Sequence, residues 1–328
     1  MIISALLFAA AIACTAAIAA EDTDAGDDTT FIENGINYKI ISDTTVEVIS
    51  NSYTGEIEIP SSATNSATTK TYNVTSIGDG AFQECTSLES VTIPDSVTSI
   101  GDSAFYGCTH LTSVTIGDNV TSIGTYAFFN CEKLTSVTIP NSVTKINTGA
   151  FYFCKSLGSV EIGKSVESID TYAFFGCTSL IDITVSEENT NYCSDDGVLF
   201  NNDKTELIQC PAGKSTYAIP DSVKSIGNYA FEGCTSLTSV IIPDSVESIG
   251  GFAFYDCISL IGIIVSEGNT VYCSDDGVLF NKDKTELIQY PAGKTASAYE
   301  IPNSVTSIGE EAFNGCTSLT SVTIGYIV

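Results

Sequence analysis

The chain of 328 residues has no tryptophan, no arginine, one histidine and one methionine. Its 12 basic residues are therefore all lysines, and they face 40 acidic residues, which gives a net charge of −28. A nucleic-acid-binding surface needs clustered cations that displace the counterions of phosphates, and an anionic membrane surface attracts the same kind of cluster. The composition disfavours both classes of partner and leaves cationic or neutral partners.

Catalytic machinery is also scarce in this composition. An active site needs converging titratable groups of matched pKa, and the chain has a single histidine and no pair of carboxylates that a helix would orient. The sequence therefore predicts a protein that is not an enzyme, with no catalytic residue, no metal site and no cofactor.

Long apolar runs are limited to one segment, residues 1–20, which an acidic stretch at 21–30 follows. Small residues at its end, such as Ala19 and Ala20, suit signal-peptidase cleavage, so the segment is predicted to be a signal peptide and 21–30 an acidic linker. We expect a secreted or cell-surface protein whose mature chain does not insert into the membrane. Two alternatives stay open: an uncleaved anchor, since twenty apolar residues can span a bilayer, and lipidation at Cys14.

Cysteine recurs at a fixed interval through most of the chain. Within uninterrupted stretches the spacing is 23 residues, and insertions at 187–220 and 267–302 interrupt one array of eight repeats over 74–328. The repeat cysteines are Cys85, Cys108, Cys131, Cys154, Cys177, Cys234, Cys257 and Cys316. A fixed period of this length indicates a repeat architecture.

The repeat follows the pattern V-x-x-I-G-x-x-A-F-x-x-C-x-x-L-x-x-V-x-I. One unit has too few apolar positions to close a core, so neighbouring units must stack. The L-x-x-V-x-I segment alternates like a half-buried strand, and the Phe-to-Cys spacing of three suits a helical or 3₁₀ turn. The sequence predicts a right-handed β-rich solenoid of the leucine-rich-repeat type, with a parallel concave sheet, short extended segments and two inserted β-hairpins.

This pattern resembles the BspA-like class of leucine-rich repeats from Tyr72 to Ile324. The resemblance implies a secreted or surface protein of a microbe or microbial parasite. It also implies a role in adhesion to host proteins and to other cells. The insertions resemble those of long family variants, in which a projecting hairpin lengthens a coil.

The segments outside the repeat have predictable roles. Residues 31–73 lack the pattern and are predicted to be an N-terminal β cap, because a solenoid needs a polar-faced end. Each insertion contains "DGVLFN" and "TELIQ", which together indicate a hairpin. Asp195 and Asp196 are expected to start a turn into Gly197, since the calcium-loop spacing with its terminal glutamate is absent.

The repeat cysteines are predicted to be buried, free thiols. Equivalent side chains in successive coils point the same way about 4.8 Å apart, whereas a disulfide needs Cβ atoms about 3.8 Å apart and facing each other. Cys193 and Cys210 flank the first hairpin and are one possible bridge. Cys108 lies two residues from His110, but serine or lysine replaces this histidine in sister repeats, so the pair is expected to be noncatalytic.

Two surfaces are candidates for ligand binding, and each has a purely structural alternative. The outward strand positions suit broad polar recognition of protein or glycan, or only strand propensity and solubility. They are Ser90, Thr92, Ser113, Thr115, Ser136, Thr138, Ser159, Glu161, Asp182 and Thr184. The residues that follow the repeat phenylalanines form an aromatic stripe, which is either an apolar interaction site or lateral packing between coils. The stripe consists of Tyr106, Phe129, Tyr152 and Phe175.

Asn73 and Asn119 lie in N-x-T sequons and are possible glycosylation sites in a eukaryotic secretory pathway. The leading functional hypothesis is a secreted or cell-surface leucine-rich-repeat protein that mediates protein–protein interaction, with adhesion to host or matrix proteins as its role. The alternative is a glycan-binding or purely structural surface-layer protein.

Overall fold

The computed structural model describes residues 29–324, which form twenty-nine short strands joined by turns, and this range contains no helix. It consequently contains no helix long and apolar enough to cross a membrane. The predicted signal peptide at 1–20, its Cys14 and most of the linker at 21–30 lie outside the described residues.

The N-terminal segment forms six strands. They are β1 (Thr30–Glu33), β2 (Ile36–Ile40), β3 (Thr45–Val48), β4 (Gly55–Glu58), β5 (Ser62–Asn65) and β6 (Lys70–Ile77). β1, β2 and β3 pair antiparallel in chain order, and β5 pairs antiparallel with β6. β3 then pairs in parallel with β6, which links these antiparallel strands to the repeat array.

The L-x-x-V-x-I segments form the first parallel sheet, because their alternating valine and isoleucine side chains point into the core. Its strands after β4 are β7 (Leu88–Thr92), β9 (Ser113–Thr115), β11 (Ser136–Ile139), β13 (Ser159–Ile162), β15 (Asp182–Val185), β19 (Thr216–Ala218), β21 (Ser239–Ile242), β23 (Gly262–Val265), β27 (Ala298–Ile301) and β29 (Ser321–Ile324). Equivalent residues pair in register, as Val137 does with Val160 and Val160 with Ile183. The predicted β-solenoid is confirmed.

The I-G segments form a second parallel sheet of two-residue strands. They are β8 (Ser99–Ile100), β10 (Ser122–Ile123), β12 (Lys145–Ile146), β14 (Ser168–Ile169), β20 (Ser225–Ile226), β22 (Ser248–Ile249) and β28 (Ser307–Ile308). β6, β8, β10, β12 and β14 follow one another in register. Ile100, Ile123 and Ile146 stack in the core with at most 2% exposure, so the two sheets enclose the apolar side chains between them.

The turn between the two sheets differs from the helical or 3₁₀ turn that its spacing predicts. Ala127 donates to the carbonyl of Gly124, as a tight turn requires, but Phe128 donates to Ala150 in the next coil. Tyr126 and Asn130 have φ angles of 54° and 57°. Since a helix needs consecutive negative φ angles, two left-handed residues in each turn divide it into tight turns that bond to the neighbouring coil.

The repeat phenylalanines and cysteines form the centre of the core. Phe128 stacks between Phe105 and Phe151, with ring centroids 4.9 and 5.2 Å away. The thiol of Cys131 donates to the carbonyl of Phe105 at 3.2 Å, and that of Cys154 donates to Phe128 at 3.1 Å. The repeat cysteine therefore fills a small apolar space and also satisfies a buried carbonyl of the preceding coil.

All eleven cysteines in the described range are free thiols. The buried ones are Cys85, Cys108, Cys131, Cys154, Cys177, Cys210, Cys234 and Cys257. Cys193, Cys273 and Cys316 are partly exposed. The possible bridge between Cys193 and Cys210 does not form, because the Cys193 thiol donates to the Asn201 carbonyl and that of Cys210 is near the Pro211 carbonyl.

We expect a maleimide to label Cys193, Cys273 and Cys316 in the native protein at least about tenfold faster than the core thiols, because only exposed thiols reach the reactive thiolate form. Burial raises the pKa of Cys131 and Cys154. Peptide mass spectrometry after timed labelling measures each site. Equal labelling rates for Cys131 and Cys316 would contradict the arrangement, and labelling in urea gives the fully exposed reference.

Each insertion consists of a hairpin followed by a shortened coil. Its strands are β16 (Tyr192–Asp195), β17 (Val198–Asn201) and β18 (Glu206–Gln209) in the first insertion, and β24 (Tyr272–Asp275), β25 (Val278–Asn281) and β26 (Glu286–Gln289) in the second. β16 and β17 pair antiparallel through a turn at Asp196 and Gly197, whose φ angles are 49° and 75°. Asp-Gly with two positive φ angles is the preferred two-residue hairpin turn.

The third strand of each insertion joins the solenoid. β18 pairs antiparallel with β17 and parallel with β20, and β19 then enters the first sheet beside β21. The hairpin is integrated into the core, since Val198, Leu199 and Phe200 are completely buried. Eleven strands lie along this side of the solenoid, since β4, β19 and β27 add to those of the eight repeats. Hydrogen bonds join them in four groups, β4-β7-β9, β11-β13-β15, β19-β21-β23 and β27-β29.

Candidate functional site

The outward strand positions lie on the surface, in the register that the repeat implies. Ser136 is opposite Ser159, and Thr138 is opposite Glu161, to whose carboxylate it donates at 3.4 Å. The strand pairing of the first sheet is interrupted between β9 and β11 and again after β15. At the second interruption the hairpin turn meets the edge of β15, where Ile183 donates to the carbonyl of Gly197. The polar positions from Ser90 to Thr184 are thereby separated from those of the later strands.

The predicted aromatic stripe forms a stack of partly exposed rings. Tyr106 and Phe129 lie with centroids 4.5 Å apart, Phe129 and Tyr152 5.3 Å apart, and Tyr152 and Phe175 4.8 Å apart. Their planes deviate from parallel by 15° or less. All four side chains are half-buried, so they pack laterally between coils and also present ring edges to solvent.

Further aromatic residues, which the repeat pattern does not single out, extend this stripe into a broader surface. The position before the repeat alanine supplies a second column, Phe153 lies beside the first, and Tyr255 follows Phe254 and therefore holds the stripe position of its own coil. We use "aromatic surface" for the ten half-buried residues Tyr106, Tyr126, Phe129, Tyr152, Phe153, Tyr172, Phe175, Tyr229, Phe252 and Tyr255. Ring contacts join them without a break, including Tyr172 with Tyr229 at 5.0 Å and Tyr229 with Phe252 at 5.1 Å.

Five of these residues have left-handed backbone conformations. The φ angles are 54° at Tyr126, 59° at Phe153, 62° at Tyr172, 58° at Tyr229 and 57° at Phe252. Such a conformation costs about 1–2 kcal/mol for a residue with a Cβ atom. Glycine adopts this conformation without that cost. These aromatic residues therefore occupy positions that are energetically unfavourable for them.

Glycine does occur at the equivalent position of several sister coils, and there it accommodates a neighbouring ring. A Cβ atom on Gly149 would lie 2.4 Å from the ring of Tyr126, and one on Gly176 would lie 2.1 Å from the ring of Phe153. Each ring therefore lies against the glycine backbone of the next coil, in space that a Cβ atom would occupy.

A cleft opens within the aromatic surface at the first insertion. The shortened coil has only residues 210–215 between β18 and β19, whereas a full coil has residues 124–135 between β10 and β11. The turns that end at Cys177 and Cys234 therefore meet across this coil, and the hydroxyl of Tyr172 donates to that of Tyr229 at 3.3 Å. The space left between the turns has a volume of about 190 Å³.

Glu232 occupies the position in its coil that a stripe aromatic holds elsewhere, and it lines this cleft. Its side chain is 7% exposed and accepts a hydrogen bond from the Gly176 N–H at 3.0 Å on Oε2. Desolvation raises the pKa of Glu232 to about 7, the Gly176 hydrogen bond opposes this rise, and nearby Asp256 adds to it. Burial, with a contribution from Glu232, raises the pKa of Tyr152 to about 12.

The remaining sequence-predicted residues lie apart from these surfaces. Cys108 is completely buried and its thiol donates to Phe82, whereas His110 is exposed. Asp195 pairs with Lys204 at 2.9 Å, and Asp196 pairs with Lys214. Among residues 29–324 no group of three acidic, histidine or cysteine side chains is placed to hold a metal ion. The two sequon asparagines, Asn73 and Asn119, are exposed, and the amide of Asn119 donates to the carbonyl of Asp95.

Stacked coils with two parallel sheets, repeating apolar positions and a ligand-sized surface on the turns define a leucine-rich-repeat solenoid, a fold that typically presents binding surfaces. The chain belongs to the family described as the BspA type leucine rich repeat region, which matches residues 75–204, 209–295 and 290–327 in six copies. The family resemblance that the repeat motif indicated is therefore confirmed. No curated protein matches the chain in sequence.

Several solved structures are similar to the chain. A leucine rich cell surface protein from Faecalibacterium prausnitzii A2-165 is 28% identical, with a TM-score of 0.51 and coverage of 94% of this chain and 96% of the other. The pneumococcal vaccine antigen PcpA is 25% identical, with a TM-score of 0.63 and coverage of 93% and 83%. A leucine-rich repeat protein from Bacteroides ovatus ATCC 8483 is 26% identical, with a TM-score of 0.50 and coverage of 88% and 81%.

Proposed function

We propose that this protein is a secreted or cell-surface binding protein that recognises a protein partner through the aromatic surface, and that its role is adhesion to host or extracellular-matrix proteins. The observation that carries the proposal is the set of five partly exposed aromatic residues in left-handed conformations. The fold needs a left-handed residue at these positions but not an aromatic one, since glycine holds them in sister coils, so strained aromatic residues there indicate a functional requirement for the side chain.

The chemistry of the surface favours a protein partner. Aromatic side chains supply large contact areas at low entropic cost and are enriched at the centres of protein interfaces. The stacked rings hold one another in place, because Phe129 contacts Tyr106, Tyr126 and Tyr152. A preordered surface of this kind loses little conformational entropy when it binds. The likeness to bacterial leucine-rich-repeat surface proteins supports the location.

The direct test compares binding of purified residues 21–328 to an array of extracellular-matrix proteins and to a glycan array. Binding to at least one matrix protein, with no glycan signal, supports the proposal. A signal restricted to glycans would instead favour the outward strand face, whose exposed serine and threonine hydroxyls lie in register across neighbouring strands. Silence on both arrays would overturn the adhesion role.

Replacing Tyr126 with glycine separates function from folding. We expect Tyr126→Gly to weaken binding to the matrix protein found above by about tenfold or more, as the loss of an interface aromatic does. The free energy of unfolding should not fall by more than about 1 kcal/mol, because relief of the left-handed strain offsets the lost ring contacts. Surface plasmon resonance and urea unfolding measure the two quantities.

The matched control for Tyr126→Gly is the double variant Ser136→Ala, Thr138→Ala on the outward strand face. It alters two exposed side chains and should leave affinity within about twofold, as most peripheral surface substitutions do. Loss of affinity in the control together with unchanged affinity of Tyr126→Gly would transfer the binding site to the strand face.

A further inference from the structure

The cleft at the first insertion has a lining that differs from the rest of the aromatic surface. Rings of Tyr172, Phe175 and Tyr229 border it, and the carboxylates of Glu206 and Glu232 lie in its wall. No lysine lines it. Of its acidic residues only Asp170 has a basic partner, since Lys145 lies 3.4 Å away.

The carboxylate of Glu232 is the most informative group in the cleft. The side chain is 93% removed from solvent, given its 7% exposure, and only Oε2 accepts a hydrogen bond, from Gly176. Oε1 has no hydrogen-bond partner among residues 29–324 and is not one of the fully buried unpaired atoms of that range, so it borders the open space of the cleft. A carboxylate that is largely withdrawn from water is stabilised when a donor or a cation completes the environment of its free oxygen.

We propose that this cleft binds the cationic side chain, a lysine or arginine, of the protein partner, with the rings of Tyr172, Phe175 and Tyr229 around the cation and Glu232 as its counter-ion. Aromatic rings attract a cation through their negative faces, and the attraction strengthens when water is excluded. The inference rests on the proposed function, because it names the group that the partner places at the centre of the aromatic surface.

The charge of the whole chain supports a cation from outside. Twelve lysines face 40 acidic residues, and arginine is absent. Eight lysines lie within 4.0 Å of a carboxylate elsewhere on the surface, and a ninth, Lys145, pairs with Asp170 of the cleft. Neither Glu206 nor Glu232 is among the paired carboxylates. The field of the acidic surface attracts a basic partner, and the cleft gives its side chain a specific place.

The second insertion supplies an internal comparison. It also separates two full turns, which end at Cys257 and Cys316, by a shortened coil. There Asn314 holds the position of Glu232, and the Asp256 N–H donates to its Oδ1 at 3.4 Å. Glu311 replaces the aromatic Tyr229. The gap between these turns therefore lacks the Glu232 carboxylate and one ring, and the Glu311 carboxylate that it has instead already accepts a hydrogen bond from the Asn314 amide at 3.1 Å.

The test uses Nα-acetyl-lysine methylamide as the probe and its Nε-acetylated form as the neutral control, with Nα-acetyl-arginine methylamide as a further arm. Tyrosine side-chain shifts in NMR titrations report binding to the whole protein. We expect the lysine or arginine probe to bind at least about tenfold more tightly than the acetylated probe. Equal affinity of the charged and neutral probes would overturn the proposal.

Two variants test whether the preference for the charged probe arises in the cleft. Glu232→Asn, which copies the second gap, should reduce affinity for the charged probe at least about tenfold. Glu247→Asn removes one exposed carboxylate outside the cleft and should change affinity less than about twofold. Equal effects of the two variants would mean that only the general field attracts the probe, which contradicts a specific site. Melting temperatures of both variants check that the fold is intact.

The two proposals can fail separately. Silence on the protein array together with tight binding of the charged probe would overturn the adhesion role and support the cleft. Binding on the protein array that Glu232→Asn leaves unchanged would overturn the cleft and support the aromatic surface alone.

Discussion

Asn269→Ala is expected to lower the free energy of unfolding by at least about 3 kcal/mol, because the side chain satisfies four buried backbone groups. Asn269 is completely buried at the start of the second insertion. Its amide donates to the carbonyls of Pro243 and Val246 at 2.8 and 3.0 Å, and its Oδ1 accepts from the N–H groups of Val271 and Tyr272 at 2.9 and 2.8 Å. Alanine removes all four bonds, and only the Pro243 carbonyl keeps another donor, the Val246 N–H at 3.4 Å.

Urea unfolding followed by circular dichroism measures this loss. Asn228→Ala is the matched control, since Asn228 is exposed and accepts a single bond from Gly251 at 2.8 Å. We expect the control to cost about 1 kcal/mol. The first insertion repeats the arrangement with Asn189, which is 5% exposed, so Asn189→Ala should behave like Asn269→Ala. Similar losses for Asn269→Ala and Asn228→Ala would contradict this role.

The same insertions explain how two sheets continue past an interruption. The last short strand before each hairpin has an N–H group whose hydrogen-bond acceptor would normally lie in the next repeat. The hydroxyl of Tyr192 accepts from Ile169 at 3.0 Å, and that of Tyr272 accepts from Ile249 at 3.0 Å. A tyrosine on each hairpin therefore closes the open strand edge, as a buried backbone donor requires.

The repeat and its core were predictable because the stacking of identical coils converts a sequence period directly into a spatial one. Phe128, Cys131, Leu134 and Val137 are all at most 3% exposed, as the apolar pattern indicates. The same alternation predicted which side chains of each strand point away from the core.

The conformation of the turn was not predictable from the apolar spacing. Phe and Cys three residues apart are compatible with a helical turn, and only the φ angles distinguish the alternatives. Glycine at one of the two left-handed positions, as at Gly80 and Gly149, is a signal of tight turns. Tyr126 and Tyr172 at the same position hide that signal, since such residues rarely adopt positive φ angles.

The cleft was not predictable either, because it results from a missing segment. An alignment of the repeats places Glu232 among exposed variants of the aromatic stripe. The structure instead buries it, since the coil before it lacks a full turn and lets Gly176 approach its carboxylate. Its burial depends on contacts between turns that are 56 residues apart in the chain.

Glu232→Gln is expected to stabilise the protein at pH 8 by up to about 3 kcal/mol and to have little effect near pH 4. Burial raises the pKa of Glu232 from 4.5 to about 7, and Asp256, present in both proteins, adds to the rise. Between these pH values the folded state holds a proton that the unfolded state has lost. The contribution of Glu232 to stability therefore falls as pH rises through this window, and glutamine removes the dependence.

The measurement is urea unfolding of both proteins at several pH values from 4 to 8, with Glu247→Gln as an exposed control that should show no such divergence. Parallel curves for the parent and Glu232→Gln would contradict the burial of an ionisable group. Since a bound cation stabilises the ionised form of the carboxylate, saturating lysine probe at pH 8 should stabilise the parent more than Glu232→Gln. This added stabilisation connects the energetic cost of the buried carboxylate to the ligand that the cleft is proposed to bind.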